Sequence, residues 1–106
     1  MTRTRQERRR HMMYVTSHTE YHCRGREVVG VRDRHTGSWQ RWHPMLRHRL
    51  VGAVDEEERF TRHIQVGTPL IFVGDTTYVT SRLRGRKRPP KDALGSYASL
   101  AASGLI

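Results

Sequence analysis

Short runs of alternating polar and apolar residues, cut by glycine, proline and aspartate, are the feature that most limits what this chain can fold into. A period of two is the signature of a half-buried strand, because successive side chains point to opposite faces. The longest useful apolar run, Pro69–Val73 (PLIFV), falls far short of the ~20 residues of a membrane-spanning helix. With 106 residues the chain is sized for one small domain. Its mean hydropathy of -0.78 is low for a chain buried along its whole length, which places part of it outside the core.

From Met12 the residues read as strand. Met13, Val15, Tyr21 and Cys23 share one face of an extended segment, with Tyr14, Thr16, His18, Glu20 and His22 on the other. Arg24-Gly25-Arg26 then reads as a turn and Glu27–Asp33 (EVVGVRD) as a second strand. A hairpin is expected across Asp33–Trp42 (DRHTGSWQRW), with Gly37 available for positive φ. Met45–Val54 is open between helix and strand, with Val51, Gly52 and Val54 favouring strand near its end. Asp55–Glu58 reads as an acidic loop tip, and Leu70–Val73 and Thr77–Leu83 as a hairpin joined by Gly74-Asp75. The tetrapeptide YVTS occurs at Tyr14–Ser17 and at Tyr78–Ser81. Its surroundings do not repeat, so the two copies read as similar strands rather than a duplicated module. The expected fold is all-β, a small SH3-like or OB-like barrel of about five strands over 12–83. A disordered basic arm (1–11) precedes it; a basic, proline-containing linker (84–92) and a tail with a short helix (93–106), capped by Asp92 and ended by Gly104, follow.

The charge is arranged on that layout. The net charge is +10. Residues 1–10 carry five arginines against one glutamate, and residues 82–92 carry six basic groups against Asp92. The intervening 11–81 has nine arginines against eight acids. Two basic arms thus flank a nearly neutral body, a pattern suited to polyanions. The candidate nucleic-acid-binding residues are Arg3, Arg5, Arg8, Arg9 and Arg10 in the first arm. In the second they are Arg82, Arg84, Gly85, Arg86, Lys87, Arg88 and Lys91.

Arg84-Gly85-Arg86, within residues 84–89, resembles the core of an AT-hook, in which Arg-Gly-Arg lies in the narrow minor groove of A·T-rich DNA. The resemblance implies that Gly85 permits close backbone approach while Arg84 and Arg86 follow the groove's negative potential. This sequence has Lys87 where the motif places a proline, and its first proline is Pro89.

A second candidate is a stacking surface. Trp39 and Trp42, three positions apart, point to opposite faces of a straight strand. An exposed Trp42 beside Arg41, joined by outward Tyr14 and Tyr78, offers what single-stranded nucleic acid uses; the alternative is that both tryptophans pack at a barrel corner. His18, Glu20, His22 and Cys23 are metal-ligand types, but on a strand His18 and His22 lie about 13 Å apart. No metal site, cofactor or catalytic residue is assigned, and Cys23 reads as a small buried apolar group. The sequence is thus expected to encode a soluble cytoplasmic protein that binds DNA or RNA mainly through phosphates. The alternative is a protein–protein interaction module docking through a barrel edge or its C-terminal tail, its arms meeting an acidic partner. Which side Arg32, Arg41, Arg47 and Arg49 occupy discriminates the two. No membrane association is expected.

Overall fold

The computed structural model describes residues 10–102. Eight strands form one antiparallel sheet: β1 (His11–Val15), β2 (Thr19–Arg24), β3 (Glu27–Asp33), β4 (Arg49–Val54), β5 (Phe60–Thr61), β6 (Pro69–Val73), β7 (Thr77–Arg82) and β8 (Gly85–Lys87). One helix, α1 (Lys91–Ala102), follows. The strand order is β7-β6-β4-β3-β2-β1-β8, with β5 pairing off the path to β4. The antiparallel β architecture expected from the sequence is observed, and the eight-stranded sheet is an open path of seven strands with β5 beside it rather than a closed barrel of about five.

The two ends of that path are consecutive in the chain. Leu83 is the junction: its N–H donates to Thr68 O (2.9 Å) and its carbonyl accepts from Gly67 N–H (2.7 Å), while the next residue, Arg84, donates to Val15 O (2.7 Å). One run of chain therefore pairs first with β6 and then with β1. The Leu83 side chain is buried in a core built from Tyr14, Tyr21, Cys23, Val28, Val31, Met45, Leu50, Ala53, Leu70 and Phe72.

The extended segment expected from Met12 to Cys23 is broken. Thr16 Oγ1 and Thr16 N–H both donate to Thr19 O, making a turn of the kind that threonine and serine favour. Tyr14 then stands opposite Tyr21, and Met13 opposite His22. This register changes the faces: Tyr14, Tyr21 and Cys23 look into the core, while Met13 and His22 look outward. The expectation that Tyr14 is an outward stacking ring is thereby overturned, since it is buried.

Four further expectations are corrected. The strand after Gly37 reduces to a single bridge between Arg32 and Trp39, because the chain turns at Arg41–Trp42 and Pro44 has no N–H to continue a ladder. Residues 85–87, read as linker, are β8, and His11, read as arm, begins β1. The helix starts at Lys91, so Asp92 lies in its first turn rather than at its cap. Arg49–Val54 is strand. Residues 1–9 and Gly104 lie outside the described residues.

Replacing Leu83 by alanine removes the apolar group at the junction of both pairings. The expected loss is about 3 kcal/mol, the usual range for a leucine deleted from a packed core, read from urea denaturation.

Candidate nucleic-acid interface

Antiparallel pairing of β1 with β8 sets Met13 opposite Lys87, Tyr14 opposite Arg86 and Val15 opposite Gly85. The chain leaving β8 therefore runs back along the start of β1, and the inner ends of the two basic arms meet. Arg88 donates to His11 O (3.1 Å), and Gly25 N–H donates to Arg10 O (2.9 Å). Around this junction lies a groove of about 540 Å³ lined by Arg10, Met12, Tyr14, Arg24, Gly25 and Arg88. Three guanidiniums surround a partly apolar floor. Burial pushes the Tyr14 hydroxyl above its ordinary value of 10.0, whereas the nearby charges of Arg86, Arg26 and Arg88 pull it down. Two more arginines thus stand close to the groove.

Arg24, Gly25 and Arg26 were read from the sequence only as a turn. Gly25 takes φ 62° in a two-residue connection between β2 and β3, the conformation a tight hairpin requires of its first central residue. The signal was present in the recurrence of Arg-Gly-Arg at 24–26 and 84–86. The first copy ends the strand on one side of β1, and the second begins the strand on the other.

The remaining candidates are dispersed. Arg3, Arg5, Arg8 and Arg9 lie outside the described residues. Arg84 and Lys91 are exposed, and Lys87 projects to the face opposite Arg86. Arg82 lines a separate cleft of about 730 Å³ with Asp55, Glu56, Glu57 and Glu58, so it is apart from the arms' junction. Arg41 is exposed, and Trp42 is 83% exposed, which corrects the alternative in which both tryptophans pack at a corner. Among the described residues no ring contact joins Trp42 to Tyr78, whose edge meets His48 instead. Arg32 lies over Trp39, 5.6 Å from the ring centroid, and Arg49 sits opposite Glu27 and Val73. Neither, nor Arg41 or Arg47, lines the groove.

The outer face of β1–β3 carries a second, polar-aromatic cluster. His22 is fully buried. Its Nε2 stands 3.1 Å from Glu20 Oε1, and its Nδ1 bonds with the Tyr97 hydroxyl of α1. A carboxylate only accepts, so Nε2 carries the proton and Tyr97 donates to Nδ1. His11 stacks on Tyr97 at 4.9 Å, and Trp39 meets both His22 and Tyr97. The space exists because Gly30, opposite His22, has no side chain: a Cβ there would lie 2.7 Å from Trp39 and 3.2 Å from Tyr97. This cluster docks the helix that follows the second arm. Cys23, one residue on, faces the core, and burial pushes its thiol up to about 12, which makes it unreactive. Among the described residues no three His, Cys, Asp or Glu side chains form a group able to hold a metal ion, and no helix is long and apolar enough to cross a membrane. No protein-family model, curated protein or solved structure matches this chain.

Burial lowers the His22 pKa below 6.5, outweighing the opposing pull of Glu20. The folded state therefore binds the proton less readily than the unfolded state. Stability is full above pH 6.5 and is lost as pH falls through 6.5 towards the folded value. His43 is lowered by burial too, so the variant His22→Gln should reduce the pH dependence without abolishing it. Urea denaturation at pH 7.5 and pH 5.5 measures this. Gly30→Val should displace Trp39 and Tyr97, seen as a red shift of Trp39 emission in a Trp42→Phe background.

Proposed function

We propose that this chain is a nucleic-acid-binding protein that engages phosphates through two arginine-rich arms rooted at one groove. The observation that carries the reading is the convergence of Arg10, Arg24 and Arg88 around Met12, Tyr14 and Gly25. A strand of nucleic acid crossing the groove meets the inner ends of both arms at once, and neutralised phosphates release their counterions. Such contacts position the protein without reading sequence. Arg84, Gly85 and Arg86 retain the AT-hook-like chemistry, but Gly85 and Arg86 belong to a strand paired with β1. Minor-groove insertion therefore requires that short strand to open, and phosphate contact does not. In this reading the curled sheet serves as the small-barrel body, since Thr77–Lys87 carries both ends of its strand order.

The test is affinity for duplex DNA, single-stranded DNA and RNA across a salt series. If five phosphates are neutralised, log affinity falls against log salt with a slope near about -4.5 on duplex. Arg10→Ala and Arg24→Ala should each weaken binding and flatten the slope by about 0.9 for each phosphate contact removed. Arg82→Ala, at the acidic cleft, should leave it unchanged. No binding to any of the three nucleic acids at physiological salt overturns the proposal.

Two observations favour a second reading, a docking surface for another protein: Arg32, Arg41, Arg47 and Arg49 do not line the arms' groove, and an apolar sheet edge lies exposed. β7 pairs only with β6 among the described residues and is exposed along almost its whole length. Val79, 57% exposed, stands opposite Ile71, with Val73 beside it and Phe60 also at the surface. An unpaired apolar edge is a template for strand addition. Binding to this face would resist salt and be lost on Val79→Lys, whereas groove binding would not respond to that change.

A further inference from the structure

We propose that His18 and His35 form a two-histidine site for a late divalent transition metal, copper(II) or nickel(II) in preference to zinc. His18 lies in the β1–β2 turn and His35 in the turn after β3. His18 Nδ1 and His35 Nε2 stand 3.0 Å apart, with ring centroids at 5.2 Å, and both side chains are exposed.

The spacing matches a coordination edge. With metal–nitrogen bonds of about 2.1 Å, two cis nitrogens at a right angle are about 2.9 to 3.0 Å apart, whereas a tetrahedral pair needs about 3.4 Å. Right-angled nitrogen donors suit the tetragonal preference of copper(II) and nickel(II), and the general affinity order puts copper(II) highest. Water fills the remaining positions.

The two turns are fastened to each other independently of the imidazoles, so a metal need not first assemble its ligands. Arg34 N–H donates to His18 O (2.9 Å), and the Arg34 guanidinium donates to Thr16 O and Ser17 O (3.2 and 3.4 Å). Asp33 Oδ1 accepts from the N–H groups of His35 and Thr36 (2.8 and 2.9 Å) and fixes the second turn. The charged groups at the site oppose one another: the Arg34 cation repels a metal ion, and the Asp33 carboxylate beside His35 attracts it. In the hydrogen bond between two neutral imidazoles one ring's N–H faces the other's bare nitrogen; metal binding requires the donating ring to carry its proton on its other nitrogen, by exchange with water, so that both rings present a lone pair.

The test is titration of the full-length, metal-free chain with copper(II) at pH 7.5, with pulsed electron paramagnetic resonance to count bound imidazoles. The structure predicts one strong equivalent held by two imidazoles. His18→Ala and His35→Ala should each weaken it at least tenfold and leave one imidazole or none, and the double variant should lose little more. His63→Ala serves as a control and should bind as the parent does. Circular dichroism checks that the variants fold, which both exposed positions permit. Retention of the strong equivalent and its two-imidazole signature in either single variant overturns the proposal. So does parent affinity no greater than that of the double variant, which leaves the pair as a hydrogen bond alone.

Discussion

The pairing of β8 with β1 is the constraint on which the rest of the structure depends. It follows from the junction at Leu83 and Arg84, where one residue completes its bonds to Gly67 and Thr68 and the next begins bonding to Val15. Leu83 buries its side chain at the switch, so hydrophobic burial and backbone satisfaction act at the same point. Once β8 is antiparallel to β1, the inner ends of two arms separated by the whole body in sequence are forced together. The groove of Arg10, Arg24 and Arg88 is then a consequence of topology more than of any local motif.

The same pairing organises the opposite face of the sheet. After Lys87 the chain passes through buried Pro89 into α1, which lies over the outer side of β1–β3. There the contact is not a conventional apolar seam. A buried histidine is satisfied from two sides by Glu20 and Tyr97, and Trp39 and His11 pack around it, over the space left by Gly30. Such a network is costly unless every member is bonded, and here both ring nitrogens of His22 are. The second arm is thus anchored at two points, by β8 within it and by the docked helix that begins at its end.

Much of the architecture was legible in the residues. Strand periodicity located Glu27–Asp33 and, through the expected Leu70–Val73 and Thr77–Leu83, β6 and β7 to within a residue, and Gly37 takes the positive φ expected of it. Face assignment failed at Thr16–His18, because one turn inside an apparently continuous strand resets the alternation that follows. Tyr14 and Met13 therefore exchanged their expected faces, while Tyr21, Cys23 and His22 kept theirs, His22 lying beneath a helix. The arms' arginines were recognisable from charge, but Arg24 and Arg26 were not, since nothing local tells a turn arginine that it will face a distant arm. Helix docking was invisible for the same reason: Gly30, Trp39 and Tyr97 acquire their meaning only from one another.

The most direct measurement is a nuclear magnetic resonance titration of the isotope-labelled full chain with a short nucleic acid at low salt. The account predicts that the perturbed amides cluster at Arg10–Met12, Arg24–Arg26 and Arg86–Arg88, three stretches brought together only by the β1–β8 pairing. Saturable perturbation confined to Trp42 or to Thr77–Arg82, with those three stretches silent, would contradict it.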